Sequence, residues 1–125
     1  MSKFSILLIF LSVGMSAAAQ ILLKYGMNSV TVQRALEDGF SSKTVWLVGT
    51  NIGVISGLFV YFASALVWLI VLAKVDVSLA YPFVSIGFLL TALMGHLLFG
   101  EIITLPRLLG ILCVCVGVAF LARSS

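Results

Sequence analysis

Long apolar blocks separated by short polar breaks dominate the chain. The blocks run over Phe4–Leu23, about Asn51–Ala73, Val77–Phe99 and about Leu105–Ala122. A helix needs about 20 apolar residues, rising 1.5 Å each, to cross the ~30 Å hydrocarbon core of a bilayer. Each block has that reach. The pattern therefore predicts an all-α membrane protein: four transmembrane helices, about 4–23, 51–73, 77–99 and 105–122, in an antiparallel bundle. It predicts a single domain over residues 1–125. The blocks are continuously apolar rather than alternating, which excludes a transmembrane β-barrel.

The breaks are short, as antiparallel neighbours require. The exception is the first, from Lys24 to about Lys43. There Val32, Ala35, Leu36 and Phe40 recur at helical spacing opposite Gln33, Arg34, Glu37 and Asp38. Two readings stand: a short amphipathic helix at the interface, ending near Gly39, or a solvated loop. Trp46 marks the membrane interface before the second helix.

Composition agrees with the pattern. Hydrophobic residues make up 62% of the 125 and charged residues 9%, whereas a soluble domain carries about 25% charged. The net charge of +3 is accounted for by membrane-flanking cations and gives no reason to expect nucleic acid. Cys113 and Cys115, two apart within the last block, point to different helix faces and suggest neither a disulfide nor a metal site. Lys3, the run Ile6–Leu11 and Ala17-Ala18-Ala19 imitate a secretory signal, but the apolar stretch continues to Lys24, as in a retained helix. Lys3, Lys74 and Arg123 fall on one side of the bundle, and Lys24, Arg34, Lys43 and Arg107 on the other. Three cations against four give no positive-inside bias. Such a chain either inserts both ways and pairs antiparallel, or is held in one orientation by a partner.

Several polar groups sit where hydrocarbon is expected. Ser12, Ser16, Gln20 and Lys24 follow one another at four-residue steps on one face of the first helix. A glutamine in lipid is costly without partners, so this face turns toward other helices or a cavity. Lys24, at the helix end, snorkels to the surface or meets a phosphate. The third helix carries Tyr81, Ser85, Phe88, Ala92 and His96 on one face, with Pro82 in its first turn. Tyr81 lines a groove or joins the interfacial aromatic belt. His96 relays protons or is simply hydrogen-bonded. Gly110 and Gly117, seven residues apart on the last helix, let another helix approach closely, either in a dimer seam or within the chain.

No Asp or Glu lies inside the four blocks, since Glu37, Asp38, Asp76 and Glu101 all fall in breaks or at edges. Exchange of a lipophilic cation for protons needs a buried carboxylate, so this chain lacks the usual means for it. Nor is there a nucleophile–base cluster, a phosphate loop or a metal-ligand set, so neither an enzyme nor a cofactor is expected.

Taken in order, Lys24, Leu79-Ala80-Tyr81-Pro82, Phe99-Gly100-Glu101 and Leu108-Leu109-Gly110 through Gly117 resemble the small multidrug resistance proteins and the wider drug/metabolite (EamA-type) superfamily. The resemblance covers essentially the whole chain. Drug exporters of that superfamily carry a glutamate eight residues before the lysine of the first helix, and here that position is Ser16. Ala18-Ala19-Gln20 before Lys24, and Trp68–Leu72 running into Ala80-Tyr81-Pro82, are more similar to the branch containing the subunits of the undecaprenyl-phosphate-aminoarabinose flippase. That resemblance implies a multi-pass protein of a bacterial inner membrane, forming a homodimer or a heterodimer with a paralogue. Its cargo would be a polyprenyl-phosphate-linked sugar or a similar amphiphile. Ser16, Gln20, Lys24, Tyr81, Ser85 and His96 are the candidate groove residues, and Gly110 and Gly117 the candidate seam. Efflux or uptake of a small molecule, and a non-transporting partner subunit among membrane lipids, are the alternatives.

Overall fold

The computed structural model describes residues 2–124. Four helices in it are long and apolar enough to cross a membrane: Lys3–Met27, Ile52–Lys74, Val77–Phe99 and Leu105–Arg123. We number the elements α1 (Lys3–Met27), α2 (Val30–Glu37), α3 (Ser42–Gly49), α4 (Ile52–Lys74), α5 (Val77–Ala80), α6 (Ser85–Phe99) and α7 (Leu105–Arg123). A 3₁₀ turn, Tyr81–Val84, joins α5 to α6, so the third span is one continuous rod of three segments.

Pro82 causes that change of winding. The span begins at Val77, which places Pro82 beyond the first turn, in the 3₁₀ segment. A proline has no N–H to continue an α-ladder, and its ring crowds the carbonyl four residues back. Tighter i→i+3 winding relieves the crowding.

The closest helix pair is α1 with α4, and small residues make it possible. Gly26 and Gly53 meet backbone to backbone: a Cβ on Gly53 would stand 2.6 Å from the Gly26 Cα. Farther along the pair, Ser12 and Ser64 form a reciprocal clamp. The Ser12 hydroxyl donates to the Ser64 carbonyl at 3.0 Å, and the Ser64 hydroxyl donates to the Ser12 carbonyl at 2.8 Å. Both serines are buried. Interhelical hydrogen bonds in membranes are worth about 0.6 kcal/mol each on average. Ser12→Ala and Ser64→Ala should each lower stability by roughly that much, and denaturation of the purified variants in detergent checks it.

Beyond the clamp, Ile9, Val13, Val71, Val75, Ala80 and Phe83 form the core, against which Trp68 and Val118 pack. The α6 helix lies against α1 through Gly87, where an added Cβ would touch Val13 at 3.4 Å. By contrast, no residue of α7 is buried.

The first connection holds two short helices rather than one. Val32 and Ala35 of α2 are buried, as their spacing predicts. Phe40 is not part of that helix: Gly39 takes φ +95° and breaks the chain's direction, leaving Phe40 91% exposed. A second helix, α3, follows. It is started by a capping box in which Ser41 and Thr44 bond each other's backbone N–H. Thr44 also ties it back, its hydroxyl donating to the Gly39 carbonyl at 2.8 Å.

Candidate functional site

A groove runs between α1, α4 and the third span, in two connected lobes. The first lobe, a cavity of about 220 Å³, is lined by Ser12, Ser16, Tyr61, Ser64, Trp68 and Tyr81, among others. The second, about 380 Å³, continues past Gln20, Phe88 and Thr91. Ser16, Tyr61, Val84 and Gly87 line both lobes and join them. Gly87 has no side chain, which lets the third span pack closely on Val13 of α1 at the junction of the lobes.

The winding of the third span decides which of its residues face the groove. In a 3₁₀ turn, side chains three apart eclipse, so Tyr81 stacks over Val84 rather than over Ser85. From there the lining continues through Gly87, Phe88 and Thr91. Ser85 lies off this line, and its hydroxyl donates to the Pro82 carbonyl at 2.5 Å.

The structure therefore brings Ser16, Gln20 and Tyr81 together and leaves the other candidates elsewhere. Lys24 is exposed one turn beyond Gln20, toward the end of the bundle that carries α2 and α3. His96 sits outside both lobes, its Nδ1 2.9 Å from the Glu101 carbonyl. A carbonyl only accepts, so Nδ1 carries the hydrogen and fastens the turn after α6. Gly100, at φ +66°, makes that turn. Gly110 and Gly117 would each meet nothing within 4 Å if given a Cβ, so neither packs against another helix of the chain.

Sequence reasoning passed over Tyr61, Ser64 and Thr91. Their signal was legible: Tyr61, Ser64 and Trp68 recur at i, i+3 and i+7, one face of α4.

The chemistry of the groove is polar without charge. Among the described residues, Ser16, Gln20, Tyr61 and Tyr81 make no side-chain hydrogen bond. No Asp or Glu lines either lobe. Two hydroxyphenyl rings and an indole supply flat apolar walls, while hydroxyls and an amide supply donors and acceptors. Such a lining suits a hydroxyl-rich sugar ring, and its aromatic faces also accommodate an ammonium. Among the described residues no cluster of His, Cys, Asp or Glu has the makings of a metal site.

Comparison with known proteins places this architecture. The sequence pattern of the EamA-like transporter family matches residues 35–123. The chain is 33% identical, over 97% of its length and 99% of the relative's, to a probable 4-amino-4-deoxy-L-arabinose-phosphoundecaprenol flippase subunit ArnE of Pseudomonas fluorescens. It is 31% identical to the corresponding probable subunit ArnF of Photorhabdus laumondii, covering 90% of this chain and 92% of that one. An uncharacterised protein of Sinorhizobium fredii, y4nH, is 32% identical over the full length of both. No solved structure gives a significant match. On these matches the chain is a multi-pass membrane protein that belongs to the EamA-like transporter family, in the branch of the ArnE and ArnF subunits.

Proposed function

We propose that the chain is a flippase subunit that moves the headgroup of a lipid-linked sugar phosphate across a bacterial inner membrane through the groove between α1, α4 and the third span. The observation that carries this reading is the set of unpartnered polar groups in that groove, Ser16, Gln20, Tyr61 and Tyr81. These groups are open to the groove rather than sealed in the protein, since no buried side-chain polar atom among the described residues lacks a partner. An unpartnered polar group facing hydrocarbon is costly. A passing hydroxylated headgroup and its water offset that cost. The aromatic walls suit a sugar ring, and the lack of carboxylates suits a phosphate. Lys24, one turn beyond Gln20, meets the phosphate at the groove's end. The polyprenyl tail stays in the bilayer alongside the open side of the groove.

The names of the relatives support the same cargo class, since they are flippase subunits for an amino-sugar phosphoundecaprenol. The occurrence of two subunit types among them supports pairing with a paralogue. The unburied α7, with open space at Gly110 and Gly117, is the seam for that partner.

The reading is tested in proteoliposomes that hold a polyprenyl-phosphate-linked amino sugar, with a membrane-impermeant amine reagent reporting which leaflet it occupies. The chain, alone or with its paralogue, should make inner-leaflet cargo reactive. Cargo that stays shielded with both chains present contradicts the proposal. Replacing Gln20 and Tyr61 together by Leu should slow the movement by at least about tenfold, a loss of ~1.4 kcal/mol in the barrier. The helical content should be unchanged.

A further inference from the structure

A second polar cavity lies outside the groove, between α2 and α3. It measures about 340 Å³, and Thr31, Arg34, Asp38, Ser41, Lys43 and Thr44 supply its polar lining. None of these residues touches the groove. Ser41 and Thr44 are spent on the start of α3. Arg34, Lys43, Asp38 and Thr31 are different: among the described residues their side chains make no hydrogen bond and no ion pair. Two cations and one carboxylate thus share one cavity without forming an ion pair among the described residues.

Four further features say what that cavity takes. Arg34 offers a flat fork of donors matched to phosphate oxygens, and Lys43 a mobile point charge. The α3 helix begins at the cavity with no acidic residue in its first turn, so its positive end adds to the field felt by an anion. The surroundings are apolar: Phe40, Val45 and Trp46 are 91%, 70% and 66% exposed on the same two-helix segment. Aromatic and aliphatic groups in that position belong at the headgroup level of a bilayer, not in water. A carboxylate beside two cations also favours a headgroup that carries an amine next to its phosphate.

We propose that the α2–α3 segment is a lipid-headgroup site that takes the phosphate of a zwitterionic phospholipid on Arg34 and Lys43 and its ammonium on Asp38. The site is separate from the groove, and it would seat the first connection on the bilayer surface at the end of the bundle where Lys24 lies.

The test is lipid retention, read by native mass spectrometry after the protein is delipidated and mixed with phosphatidylethanolamine or phosphatidylglycerol. The wild-type chain should retain phosphatidylethanolamine. Arg34→Gln combined with Lys43→Gln should lower that retention at least tenfold. Asp38→Asn should reverse the preference toward phosphatidylglycerol. Free phosphoethanolamine at millimolar concentration should compete poorly if the lipid is the ligand; displacement by it would reassign the site to a soluble phosphate and overturn the lipid proposal. Equal retention by wild type and the Arg34/Lys43 double variant, with unchanged helicity, overturns the site itself. All three residues are exposed, and Asp38→Asn provides a readout in a variant that keeps both cations.

Discussion

A glutamate in place of Ser16 is expected to stop headgroup movement, while a glutamine there should leave most of it intact. Ser16 lines both lobes of the groove, so nothing can pass from one to the other without coming near it. A carboxylate about 6 Å from a phosphate, at an effective dielectric of ~20, repels it by about 3 kcal/mol. That energy corresponds to a loss of about a hundredfold. Glutamine has the same bulk and no charge, so comparing the two separates electrostatics from crowding. Leaflet-specific amine labelling of the cargo measures both. Equal loss in the two variants would mean that the groove is limited by width at Ser16, and the charge argument would fail.

The second large effect is structural. Gly53→Ala should strongly destabilise the protein, and Gly26→Ala should do the same. The added Cβ at Gly53 would lie 2.6 Å from the Gly26 Cα and 2.8 Å from its nitrogen, and one at Gly26 would lie 2.6 Å from the Val54 nitrogen. These neighbours are backbone, which no rotamer change can move. The two helices would have to separate along the pair that holds one wall of the groove. Overpacking of this kind costs about 1–3 kcal/mol and sometimes more, and the upper end is expected here. Gly110→Ala and Gly117→Ala should not destabilise a single chain, since a methyl group there meets nothing within 4 Å, and should stabilise it by up to about 1 kcal/mol through helix propensity. Unfolding in a denaturing detergent would rank the four variants. A Gly53→Ala protein as stable as wild type would contradict the close crossing.

These two expectations also show what could be read from the chain alone. The spans were legible because a ~20-residue apolar block has few other uses. The expected helices end within a turn or so of the observed ones; α1 runs to Met27 rather than Leu23. The polar row Ser12, Ser16, Gln20 was legible because hydroxyls and amides interrupt a hydrocarbon pattern. What those groups do was harder to see. Ser12 and Ser16 look alike in sequence, yet Ser12 is consumed by its clamp with Ser64, while Ser16 opens onto the groove. Only the pairing of α1 with α4 separates them. The face of the third span was misread at Ser85 because a uniform 3.6-residue period was assumed through Pro82. The tighter turn sets Tyr81 over Val84 instead of Ser85, while Phe88 stays on the expected face. Similarly, α3 escaped notice because its start lies in a capping box at Ser41 and Thr44 rather than in charge periodicity.

The central claim is that the cargo's headgroup travels between α1, α4 and the third span. A lipid-linked sugar phosphate carrying a photoreactive group on its sugar, irradiated with the reconstituted protein and followed by mass-spectrometric mapping of adducts, tests it most directly. The account predicts adducts on the groove walls, at Ser16–Gln20, Tyr61–Trp68 and Val84–Thr91. Adducts confined to α7, or to the opposite end of the bundle near Lys74, would contradict it.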